Sequence, residues 1–224
     1  MMKKSFFRMS FINNSGKTNL TLILLLVALF MGLSSSVLAD TMVYNSFGPG
    51  DAYRSDGDGI GTGQVIAVNF TGTGLFLTEV DLAFYSSQGT PSIIVKLLGD
   101  NGGFPDSFTV LEQWTVSGIP TYPTSQIFNL TSITNVPLTS GVTYWLGAFP
   151  GAPDTSVGWN LNSQSFVGEA YSFNVGVDWG YSWSYNPVFR IMGTATVSAV
   201  EPATILLLGL GLMGLAGARR KMRE

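Results

Sequence analysis

The chain contains no cysteine and no histidine. Without cysteine there are no disulfides, thiolate metal sites, thiol nucleophiles or lipidated N-terminal cysteine. Without histidine there is no serine–histidine–aspartate triad and no imidazole ligand, and no side chain that ordinarily titrates near neutrality. Positive charge is scarce as well. Between residues 40 and 198 the only basic side chains are Arg54, Lys96 and Arg190, against twelve acidic ones, for a net charge of −9. A segment so acidic repels nucleic acid and anionic lipid surfaces, so nucleic acid is not an expected partner. It is long enough to be held by core packing alone, and no cofactor or metal is expected to be needed for folding.

Charge is missing altogether from two flanking stretches. Lys3, Lys4, Arg8 and Lys17 precede an apolar run from Leu20 to Leu33, and Val37-Leu38-Ala39 sets small residues at the −3 and −1 positions of a cleavage site. This order predicts a signal peptide over residues 1–39, cut between Ala39 and Asp40, with export through the secretion machinery. At the other end the run Ala203 to Ala218 carries no charge. As a helix it spans ~24 Å, slightly less than a ~30 Å hydrocarbon core. Val200-Glu201-Pro202 precedes it and Arg219-Arg220-Lys221 follows it, a basic flank of the cytoplasmic kind. Residues 199–224 therefore read as a tail with a transmembrane helix over 203–218 and a basic end over 219–224.

That tripartite ending resembles the PEP-CTERM sorting signal on which exosortase-type transpeptidases act in Gram-negative bacteria. The family motif is Pro-Glu-Pro; Val200 takes the place of the first proline, while Glu201 and Pro202 match. The resemblance implies processing by an exosortase near Glu201-Pro202 and an inner-membrane intermediate. It further implies delivery to the cell surface or extracellular matrix, in association with exopolysaccharide. The alternative is a plain single-span anchor whose tail is retained. The string Gly209-Leu210-Gly211-Leu212-Met213-Gly214 matches the dinucleotide fingerprint, but no strand precedes it, so it belongs to the membrane segment.

Residues 40–198 form one domain of short β-branched and aromatic runs separated by Gly, Pro, Asn and Ser turns. The pattern predicts an all-β, antiparallel, jelly-roll-like sandwich. Strands are expected over Thr41–Asn45, Val65–Phe70, Phe76–Tyr85, Ser92–Leu98, Thr109–Val116, Gln126–Leu130, Thr143–Phe149, Val157–Leu161, Glu169–Phe173, Val175–Tyr185 and Val188–Val197. In Thr78 to Phe84, Val80, Leu82 and Phe84 share one face and Glu79 and Asp81 the other, one buried and one wet. The stretches 65–70, 77–82, 138–146 and 186–193 together resemble the choice-of-anchor extracellular domains, β-sandwich modules attached to different surface-sorting tails. That likeness implies a surface location and no demonstrated catalysis.

Three constellations are candidates for chemistry. Asp51, Asp56 and Asp58 sit in a glycine-rich stretch that resembles a fragment of an oxygen-ligand calcium loop, but Ala67 falls where the closing acid belongs, so a plain acidic turn is expected, with a sandwich-edge calcium site using backbone carbonyls as the alternative. Glu79 and Asp81 lie roughly 7 Å apart on one strand face, a spacing within the range of glycosidase pairs. No second cluster supports them, and no catalytic residue is expected. Glu112 and Glu169 stand alone in the sequence. Finally, Trp179, Tyr181, Trp183 and Tyr185 alternate with glycine and serine. On a strand they share a face. They are expected to fill the core, with Gly180, Ser182 and Ser184 in water; the alternative is a solvent-facing platform on which sugar rings stack.

The sequence therefore predicts a non-enzymatic, surface-sorted structural or adhesive protein. Two alternatives stand beside it: a carbohydrate-binding module using the Trp179–Tyr185 strand, and a permanently anchored surface enzyme acting on polysaccharide.

Overall fold

The computed structural model describes residues 39–195; the predicted signal peptide before Ala39 and the predicted sorting tail lie outside them. Within this range the chain forms thirteen strands. They are β1 (Thr41–Asn45), β2 (Tyr53–Ile60), β3 (Val65–Thr71), β4 (Leu75–Gln88), β5 (Ser92–Asn101), β6 (Phe104–Ser117) and β7 (Gln126–Thr131). Then follow β8 (Pro137–Leu138), β9 (Thr143–Pro150), β10 (Ser156–Asn162), β11 (Val167–Ser172), β12 (Gly180–Tyr185) and β13 (Phe189–Thr194). They make two sheets of seven and six strands, with every named pair antiparallel. The all-β sandwich is the fold that the alternation predicts.

β4 is the spine of the seven-stranded sheet. Along one edge it pairs with β13 through Phe76–Leu82 and with β10 through Phe84–Gln88. Along the other it pairs with β7 and β8. β2 adds beyond β10, with Asp58 opposite Trp159. The six-stranded sheet runs in the order β12-β11-β3-β9-β5-β6, which leaves β12 at one edge.

The inner faces meet in one large core. Val80, Leu82 and Phe84 of β4, Trp159 of β10 and Phe189 and Ile191 of β13 pack with Ile93, Val95 and Leu97 of β5 and with Leu146 of β9. Each is fully or almost fully buried, as the strand alternation requires. Trp159 donates its indole N–H to the Val188 carbonyl at 2.8 Å, so its polar edge is satisfied inside the core.

The outer faces are not uniformly wet, which corrects one expectation. Asp81 was expected in water. It is wholly buried, accepting from Arg190 Nε and from Asn129 Nδ2. Beside it Phe47, Ala83 and Val188 form a small second cluster, with the Arg190 guanidinium 5.4 Å from the Phe47 ring. On the outer face of the other sheet Val65, Ala67, Leu98, Trp145, Phe149 and Ala170 make a third cluster. Loop residues close over these faces, a feature that strand periodicity does not encode.

Two strands escape the sequence pattern. β8 has only two residues. β2 covers Tyr53–Ile60, including the Asp56-Gly57-Asp58-Gly59 stretch expected to be a turn. Gly57 serves close packing: a Cβ there would meet the Trp159 carbonyl carbon at 2.8 Å.

Candidate functional site

Strand β12 begins at Gly180, not at Val175 as the alternation suggests, and only β11 flanks it. An edge strand is flanked on one side only, and the outward side chains of β12 meet solvent. Trp183 is 77% exposed, and Tyr181 and Tyr185 are also exposed. The core-filling expectation for these rings is therefore wrong. Ser182 pairs with Glu169 across the strands and lines a hollow on the inner side, while Tyr181 pairs with Ala170 of the outer cluster. The small serine on this side leaves the hollow open beside Glu169.

The four aromatics do not form one row. Tyr181 and Trp183 meet edge to face with centroids 5.0 Å apart. A side chain at Gly168 would collide with the Tyr181 hydroxyl, so that glycine, with φ at +102°, lets the tyrosine lie across β11. Tyr185 lies under the Arg54 guanidinium, 4.8 Å from its centroid. Trp179 precedes the strand and packs on the outer cluster, edge-on to Phe149 at 6.5 Å. Its indole N–H donates to Ser107 Oγ at 3.1 Å, and that hydroxyl donates to the Gly176 carbonyl at 2.7 Å.

Trp179 separates two hollows. One, of about 260 Å³, lies between the β5–β6 hairpin tip and the loop before β12; Phe104, Asp106, Phe108 and Asp178 line it with Trp179. Phe108 is 97% exposed at its rim. The other, of about 290 Å³, shares Asp178 and Trp179 and adds Tyr171, Phe173 and Asn174. A third, of about 240 Å³, shares Tyr171 and Phe173 and reaches Asp58, Glu169 and Ser182. The shared walls make a discontinuous trough beside β12, edged by aromatic rings and acids. No lysine or arginine lines any of the three.

At the end of this trough the structure brings together two acids that the sequence keeps far apart. Asp58 of β2 and Glu169 of β11 face each other from opposite sheets within hydrogen-bonding reach. Glu169 is only 4% exposed. Its Oε1 accepts from Ser184 Oγ at 3.1 Å, while Glu169 Oε2 and Asp58 Oδ2 have no donor among the described residues. Burial first, and the Asp58 charge second, push the Glu169 carboxyl up to about 8; burial also raises Asp58. Sequence reasoning missed this pair because Glu169 has no acidic neighbour along the chain. The only signal was period two: Glu169, with Ala170 facing outward, had to face in.

The other sequence candidates are structural. Arg54 grips Asp56 with two hydrogen bonds of 2.8 Å, and Asp51 accepts from Arg190. Asp81 is consumed by Arg190 and Asn129, so Glu79 and Asp81 are not a free carboxylate pair. Glu112 is buried and accepts from the Ser132 and Thr134 hydroxyls and from the Ile133 and Thr134 amides, fixing the turn after β7. No group of three acids is placed to hold a metal among the described residues.

Residues 201–221 match the PEP-CTERM protein-sorting motif. The chain carries a PEP-CTERM sorting signal. The match takes in Glu201, Pro202, Arg219, Arg220 and Lys221 and begins after Val200. It supports exosortase-dependent sorting of an exported protein through the membrane to the cell surface. No curated protein matches the chain.

Proposed function

We propose that the chain is a non-catalytic surface protein that holds polysaccharide on the β12 edge and the adjoining trough. The observation that carries this is the exposure of Tyr181 and Trp183 on an edge strand whose inward positions are serines. Tyrosine and tryptophan offer flat apolar faces with a polar rim, which suits the alternating C–H faces and hydroxyl edges of a sugar. Asn174, Asp106 and Asp178 supply hydrogen-bonding groups within the hollows around Trp179. The acid-rich, cation-free lining favours a neutral polysaccharide over a uronic or sulfated one, which like-charge repulsion would exclude. A non-enzymatic role fits the absence of cysteine and histidine and the engagement of Asp81 by Arg190. The resemblance to choice-of-anchor modules points the same way.

Affinity electrophoresis of the full chain in detergent tests the polymer class. Retardation by neutral glucans or mannans, with little by alginate or dextran sulfate, is expected. Preferential retardation by the polyanions would reject this assignment. Delivery is completed by cleavage near Glu201-Pro202, which leaves the domain in the extracellular matrix of a Gram-negative cell. Intact mass of the protein from its native host checks this, and a main species still ending in Arg219 to Glu224 would contradict it.

A further inference from the structure

We propose that Asp58 and Glu169 form a calcium-class cation site that ties the edge of the seven-stranded sheet to the six-stranded one. The inference is independent of polysaccharide binding. It rests first on two carboxyl groups from different sheets, Asp58 on β2 and Glu169 on β11, that line one hollow. Second, each keeps one buried oxygen without a donor, Asp58 Oδ2 and Glu169 Oε2, and Glu169 is itself 4% exposed. A buried carboxylate oxygen left without a partner is costly, and a cation between two of them satisfies both together.

The surroundings select the ion. Both residues line the hollow of about 240 Å³, together with Gln64 and Ser182, so two carboxyl groups and two neutral oxygen-bearing side chains border one space. Ser184 donates to Oε1 of Glu169 at 3.1 Å, which leaves Oε2 as the free oxygen. No nitrogen or sulfur ligand of the zinc kind exists in the chain, which has neither histidine nor cysteine. An irregular set of oxygens with room for water suits calcium, whereas magnesium demands near-ideal octahedral geometry. The nearest arginine, Arg54, is spent on Asp56 and on the Tyr185 ring, so no basic side chain neutralises the pair. The site stiffens an existing fold and is not needed to form it, since the core beneath is complete without it.

Calorimetric titration of CaCl₂ into the full chain, stripped with chelator in detergent, tests the site. One ion per chain is expected, at the ~0.1–1 mM affinity of extracellular calcium modules. At tenfold excess over the dissociation constant the melting temperature should rise by about 3–6 °C. An equal concentration of magnesium should give less than half that rise. Glu169→Gln and Asp58→Asn should each fold and abolish the calcium-dependent rise. An unchanged wild-type melt would overturn the proposal and leave a carboxyl pair bridged by a proton only. A full calcium response in both variants would also overturn it, by placing the ion elsewhere. Should one variant fail to fold, the other decides.

Discussion

Trp159 and Trp183 occupy strands of similar length and meet opposite fates. Trp159, on β10, is fully buried, with β4 on one side of its strand and β2 on the other. Trp183, on β12, is 77% exposed, with a neighbouring strand on one side only. Alternation tells which side chains share a face but not which face is covered. Coverage depends on what packs on each face: the outward rings of β12 stay exposed, and its inward Ser182 borders a hollow with Glu169.

The contrast can be broken most directly in the core. Trp159→Ala should cost ~3–5 kcal/mol, because the surrounding rings, Phe84 among them, cannot collapse into the space. Trp183→Ala should stay within ~0.5 kcal/mol, as surface changes do. Urea melts of the two variants measure the difference; equal losses would mean that β12 is not an exposed edge.

Next comes the buried charge on the outer face. Arg190→Met leaves Asp81 with only Asn129 as partner and should cost about 3 kcal/mol. Asp51→Ala removes the solvent-exposed arm of the same arginine and should cost less than about 0.5 kcal/mol. Chemical denaturation again decides, and a small loss for Arg190→Met would argue against a sealed outer face.

Much of this fold was legible in the sequence, and the failures have physical causes. Val80, Leu82 and Phe84 share the inner face because strand period is two, and that much requires no tertiary knowledge. Asp81 falls on the face expected to be wet; its burial depends on Arg190 of β13, which pairs with it from far along the chain. β2 escapes the turn reading because Gly57, normally a turn signal, here admits the backbone of β10. The candidate site divides in the same way. The aromatic alternation was visible, whereas the Asp58–Glu169 contact arises only when two sheets face each other.

A smaller effect belongs to that contact. Glu169 titrates near about 8 in the folded chain, against 4.5 as its ordinary value. The folded state therefore holds a proton that the unfolded state has lost, and stability should fall as pH rises from about 4.5 to about 8, then level off. Melts across this range in chelator check it. Glu169→Gln should flatten that part of the profile, while a profile as steep as wild type would assign the slope to another group.

The central claim is that the β12 edge is a binding surface with little structural burden. Affinity electrophoresis of Trp183→Ala in a gel of the neutral polysaccharide that best retards wild type, with its melt recorded on the same sample, tests this most directly. The account predicts a melting temperature within about 1–2 °C of wild type, as expected of a surface change, and at least a tenfold weaker retardation. Wild-type retardation by a variant that melts normally would contradict it.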